Sequence, residues 1–398
     1  MKKSKNLAAL CIMAFTMFLL GGLSSTKGIV LEEVKKDIGL DLNEFGLVVF
    51  IFQWGFTIAG VVSGYLVDKK GLKIMTIAGS IVMAAGLLGT GIAQTILFFL
   101  GFYLIVGFGL GAMTVASNAI VPAVYPKKQG MMFNITMGVY GVGMFTTPLI
   151  LRWMFAAGIS WRVFYLGTAG LLAAFIALVV LTKLPAGKAD KASLSAFKIM
   201  LKNAQFVFIM IFLIFYVASE VSFLNFFPSY LKTQELDGAS PSEKGAMIAA
   251  VLSIFSLLFT IGRLGGGWIA NKIGEKKTLL IFSFLAAITV TISKYFADEW
   301  VYLFAASGLF FSVLFPTATA VGTKLSENSG SALGLVYVAS GIGGAFAGWL
   351  VGAVSERFGA ADGFNLPIIF LIVLVIMSVF IKDIPDRVKP PISHNEKF

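Results

Sequence analysis

The chain has 398 residues, 58% of them hydrophobic and only 13% charged, with a formal net charge of +11. Soluble domains carry about 25% charged residues, so the composition excludes a water-soluble fold and describes a polytopic membrane protein. The single Cys11 excludes an internal disulfide and a Cys-based cluster, and the single His394, in a polar tail, gives no basis for His catalysis or a metal centre.

A helix needs about 20 apolar residues to cross ~30 Å of hydrocarbon, and it satisfies its own backbone groups in lipid. Twelve such runs follow one another, near residues 7–30, 47–67, 74–93, 97–121, 131–153, 162–181, 206–231, 246–270, 278–296, 301–321, 331–354 and 365–381. The start, MKKSKNLAALCIMAF, resembles a signal peptide, but its apolar run reaches about Val30, too long for a signal core, and is read as the first span. Twenty-one of the 31 Lys and Arg residues fall on the side of the N-terminus and nine on the other side. Both termini are therefore predicted cytoplasmic, in the cell inner (plasma) membrane, and the positive charge reflects topology rather than a nucleic-acid partner. The longest inner connection divides the chain into a six-helix unit over 1–181, a linker over 182–205 with five Lys, and a second six-helix unit over 206–384. The tail over 385–398, with three Pro, is expected to be disordered.

Few charged side chains lie within these runs. Glu220 is the only acid in a span core, where a charge costs roughly 2.5–3.5 kcal/mol on insertion scales. It is paired, protonated or hydrated. The readings are a structural hydrogen-bond acceptor, a substrate hydroxyl acceptor and a titrating proton carrier. Arg263 is the only Arg in a span core; it either snorkels to the headgroups, pairs with an acid or binds an anionic substrate. Lys27 near the outer surface has the same alternatives, including a latch with Glu220. Gln53, Trp54, Asn118, Tyr140, Asn225 and Tyr337 are candidate substrate-binding residues, with Trp54 as an aromatic platform; each is equally consistent with a helix contact. GFGLGA and GIGGAFAG lie inside apolar spans and follow no strand, so they are packing or hinge segments rather than phosphate loops.

The halves repeat. GYLVDKKGLK after span 2 and GWIANKIGEK after span 8 are offset by 203 positions, placing Gly64, Asp68, Gly71 and Lys73 on Gly267, Asn271, Gly274 and Lys276. Gly138 and Gly141 map by the same offset onto Gly341 and Gly344. A parallel repeat of six-helix units is a transporter architecture that holds its substrate between the units. The loop with Gly64, Asp68, Lys69, Gly71 and Lys73 resembles the signature loop of the major facilitator superfamily, and Asn271 replaces the Asp in the second copy. The resemblance implies an all-α membrane protein of twelve transmembrane helices in two bundles, and a gating role for those residues together with Gly267, Asn271 and Gly274. In span 7, YVASEVSFLNFFPSYL resembles the fucose–galactose–glucose:proton symporter family, as does Phe315–Thr317 in span 10. Met113 and Lys27 stand near the places of that family's span-4 and span-1 acids, leaving Glu220 as the candidate proton-coupling residue.

The expected function is secondary transport by alternating access, with proton-coupled uptake of a sugar or similar small polar solute. A monomer in the lipid bilayer, with no cofactor beyond a proton or other ion gradient, is expected. An organic-anion carrier, efflux of amphipathic compounds, and a non-transporting receptor or enzyme are the alternatives. No nucleophile constellation supports an enzyme.

Overall fold

The computed structural model describes residues 2–39, 42–184, 195–234, 240–296, 300–326 and 329–384, and among these it contains helices and no strand. In chain order they are α1 (Lys2–Ile38), α2 (Leu42–Lys70), α3 (Leu72–Ile92), α4 (Ile96–Asn118) continued by α5 (Ile120–Val124), α6 (Gln129–Ala156), α7 (Trp161–Leu181), the short α8 (Ser195–Lys202), α9 (Ala204–Thr233), α10 (Pro241–Ile273), α11 (Glu275–Tyr295), α12 (Leu303–Ser312) continued by α13 (Leu314–Lys324), α14 (Ser329–Phe358), and α15 (Ala360–Gly363) leading into α16 (Leu366–Phe380). Among the described residues, 11 passes are long and apolar enough to cross a membrane. The 29-residue α2 supplies the twelfth.

Three passes are broken, two of them inside runs that read as continuous in sequence. The breaks fall after Asn118, Ser312 and Gly363, each four residues before a proline: Pro122, Pro316 and Pro367. A proline removes the hydrogen bond to the carbonyl four residues back, and its ring clashes with that carbonyl. Hydropathy does not register this, because proline breaks the ladder without making the run polar.

In the first half α1 packs on α6, α4 on α2 and α3, and α3 on α7; in the second α10 packs on α12, α9 on α14 and α16, and α11 on α12 and α16. The halves meet chiefly along two crossings, α2 with α14 and α6 with α10, with smaller contacts of α13 on α6 and α14 on α4. The sequence repeat is visible in the backbone. Gly71 and Gly274 both take positive φ, at 91° and 90°, where a side chain would be strained. At the crossings, a Cβ on Gly64 would lie 2.6 Å from the Gly330 carbonyl oxygen, and one on Gly267 would lie 2.5 Å from Met131 Cα. Thr57 against Gly341 and Thr260 against Gly141 repeat the pairing about two turns further along α2 and α10.

These contacts close the end of the molecule that carries the linker, called the linker end below. Within the linker, α8 buries Met200 and half-buries Phe197, while Lys198 and Lys202 are exposed. Residues 185–194 and the tail over 385–398 lie outside the described residues.

Candidate functional site

Between the halves is a cavity of about 860 Å³, lined from α1, α2, α6, α9, α10, α13 and α14. Its lining extends away from the linker end: Phe145, Pro148 and Leu149 lie beyond Tyr140 along α6, and Phe145 is 69% exposed. Successive turns of α10 supply Ser256, Thr260 and Arg263, and α9 supplies Val217, Glu220 and Leu224, the i, i+3, i+4, i+7 spacing of one helix face.

Glu220 and Arg263 are the only charged side chains among the described lining residues. They interact electrostatically across the α9–α10 boundary, with Tyr216 and Tyr140 close to both. Arg263 is 4% exposed. Its guanidinium lies over the Phe259 ring at 4.1 Å and near the Tyr140 ring at 5.3 Å. Its Nε and Nη1 have no hydrogen-bond partner. The ring faces satisfy the cation's flat surfaces but take no N–H bond from its edge.

The other candidates separate. Gln53, Tyr140 and Tyr337 line the cavity. Asn118 is buried beneath it and donates from Nδ2 to the Tyr337 hydroxyl at 2.5 Å, a bond that joins the two halves. Trp54 is 53% exposed and Asn225 is exposed, and neither lines the cavity. Lys27 belongs to α1, but its side chain lies outside the described residues. Phe259 enters the site without having been singled out, and Tyr216 and Phe315, named only within motifs, join it; Tyr216 and Phe259 stand four residues before Glu220 and Arg263, the spacing that puts them on the same face.

The signature loop forms the closure at the linker end. The Asp68 carboxylate accepts from the Gly330 amide at 3.1 Å, the Ser331 amide at 2.9 Å and the Ser331 hydroxyl at 2.6 Å. It thus caps the N-terminus of α14, whose first amides have no partner within the helix. Burial pushes the Asp68 carboxyl above its ordinary range, against the downward pull of these three bonds. Lys69 lies 5.7 Å from the Tyr65 ring, and Lys73 donates to the Val180 carbonyl at 2.6 Å, near the C-terminus of α7.

The second copy closes differently. Asn271 is exposed. The acid has moved one turn on, to Glu275, which pairs with Lys324 at 2.8 Å; these side chains are 11% and 7% exposed. A Cβ on Gly130, at the start of α6, would be 3.3 Å from Glu275 Oε1. Beside the pair, the Thr323 hydroxyl donates to Gln129 Oε1 at 3.0 Å, tying α13 to α6. Lys324→Met should destabilise the closed arrangement by about 1.5–3 kcal/mol, because it removes a charged partner from a nearly buried acid, and adding Glu275→Leu should recover part of the loss. Thermal unfolding of the single and double variants checks this; an equal or greater loss in the double variant contradicts it.

Comparison with known proteins follows the same lines. The chain is 25% identical to a putative glucose/galactose transporter of Helicobacter pylori, over 91% of this chain and 92% of the relative. It is also 25% identical to a nitrite extrusion protein of Bacillus subtilis, over 83% and 82%. The fold matches crystal structures of the E. coli fucose:proton symporter FucP at TM-score 0.78 and 18% identity, and of FucP in the outward conformation at 0.79 and 20%, each over 94% of this chain and 98% of the other. The sequence pattern of the Major Facilitator Superfamily matches residues 10–348 and again 238–397. With its paired halves, repeated loop and central cavity, the chain belongs to the Major Facilitator Superfamily and is a multi-pass membrane transporter rather than an enzyme.

Proposed function

We propose that the protein works by alternating access as a proton-coupled uptake carrier for a sugar or similar small polar solute. The observation that carries this reading is Glu220, the single acid among the described lining residues, in a cavity that the Asp68 contacts close off at the linker end and whose lining extends toward the other. With the linker end in the cytoplasm, as the Lys and Arg distribution predicts, the other end faces outward, where a solute and a proton load together. The likeness to a putative glucose/galactose transporter and to a fucose:proton symporter supports the sugar class and the proton. In this reading the working unit is a monomer in the plasma membrane with both termini inside. Arg263, and the likeness to a nitrite extrusion protein, favour a second reading in which the solute is an anion.

The test is accumulation in proteoliposomes with an acidic exterior. A 1:1 coupled carrier should concentrate its solute about tenfold per pH unit, since one unit is worth about 1.36 kcal/mol. Equilibration without accumulation, at every pH gradient, would contradict proton coupling.

A further inference from the structure

We infer that the solute is a hydroxylated monocarboxylate, such as an aldonate or uronate, whose carboxylate binds Arg263 as a proton binds Glu220. The inference rests on the proton-coupled reading above and adds the charge of the solute to it. Two independent observations carry it.

The first is the state of Arg263. Its side chain is buried, and its Nε and Nη1 are unpartnered. A buried cation with open donors is costly until an acceptor arrives, and a guanidinium fork matches a carboxylate in a two-point contact. Phe259 and Tyr140 hold the plane of the guanidinium, Tyr216 stands close to it, and Nε and Nη1 remain open to an acceptor.

The second is the charge balance of the cavity. Glu220 and Arg263 are the only charged side chains among the described lining residues. The groups that face them are Tyr216 on α9, Tyr140 on α6 and Tyr337 on α14; an ordinary Tyr is neutral near pH 7. With Glu220 ionised and the cavity empty, the charges sum to zero. A proton on Glu220 leaves the guanidinium uncompensated. A neutral sugar entering with that proton would carry a net positive charge through the low-dielectric interior, whereas a monoanion restores neutrality. Proton and anion therefore favour each other's binding, and both the loaded and the empty carrier cross neutral. Ser24, Gln53, Ser256, Thr260 and Ser340 give hydroxyl groups their partners, and about 860 Å³ accommodates a six-carbon solute.

The test uses the full chain in proteoliposomes, with D-gluconate, D-glucuronate, D-glucose, D-galactose and acetate as probes. The pH gradient and the membrane potential are imposed separately. We expect gluconate or glucuronate to accumulate with an acidic exterior and to be indifferent to an inside-negative potential, because an anion plus a proton moves no net charge. Arg263→Gln should weaken binding of the acid by about 100-fold or more. Arg263→Lys, which keeps the charge but not the fork, should lose less and shows whether the variants fold. Accumulation of glucose or galactose driven by either gradient, with binding unchanged in Arg263→Gln, would overturn the inference and leave proton-coupled sugar uptake standing. Acetate competing for binding to the purified protein as well as the hydroxylated acids would overturn the hydroxylated class. Accumulation of none of the probes would overturn both this inference and the reading beneath it.

Discussion

Glu220→Gln should abolish proton-driven accumulation while exchange of solute across the membrane persists. Gln keeps the size and most of the hydrogen-bonding capacity of the protonated acid but cannot release a proton. Exchange returns the carrier loaded, so it never needs the empty, ionised form. Net accumulation does need that form, because the proton must leave inside before the carrier resets. A fall from about tenfold accumulation per pH unit to simple equilibration is the expected magnitude. The outcome separates three roles for the side chain. A proton carrier loses accumulation alone. A hydrogen-bond acceptor for the solute loses affinity, and accumulation recovers at high concentration. A structural acceptor leaves both intact and lowers only thermal stability. Normal pH-driven accumulation by the variant would remove Glu220 from the coupling mechanism.

Asp68→Asn should reduce transport at least about tenfold and leave solute affinity in detergent within about threefold. The carboxylate takes three hydrogen bonds from the start of α14. Asn offers one acceptor oxygen and turns its amide toward a backbone donor. Bonds to a charged group contribute roughly 1.5–3 kcal/mol each, so losing one shifts the open–closed balance about 10- to 100-fold. The cavity lies well away from this loop, so ligand contacts are untouched. Transport rates in proteoliposomes and direct binding, measured side by side, check both halves of the expectation. Unchanged transport would show that the contact with α14 does not govern closure.

The elements that were legible in sequence were those that lipid forces into one form. Twelve apolar runs become helical passes because no other structure satisfies the backbone in hydrocarbon. The repeat showed in Gly71 and Gly274, since both copies need the same positive φ. Gly64 and Gly267 were legible only as parts of the repeated loop; the structure adds that each stands where two backbones approach.

What was hidden has a common cause. A soluble helix marks its buried face by hydrophobic period, but here the lipid face and the packed face are both apolar. Gln53 and Trp54 are adjacent in sequence and about 100° apart on the helix; one lines the cavity and the other is exposed. Nothing in the composition of α2 tells them apart. Charges were the exception, because Glu220 and Arg263 tolerate burial only around a common cavity, and the structure brings them together there. The Glu275–Lys324 pair was missed because the acid stands one turn beyond the position where the repeat placed Asn271. The breaks inside the fourth and tenth runs were missed because Pro122 and Pro316 act four residues away from where they stand.

The most direct test of proton coupling at Glu220 is the proton movement that accompanies solute entry. Wild-type and Glu220→Gln proteoliposomes in weakly buffered medium, with no imposed gradient, would each receive D-gluconate, D-glucuronate, D-glucose or D-galactose outside. For the solute that enters, the wild type should make the medium alkaline, one proton for each solute taken up, and the variant should take up the labelled solute by exchange with no pH change. Alkalinisation of equal size in both, or solute entry into the wild type with no proton movement, would contradict the account.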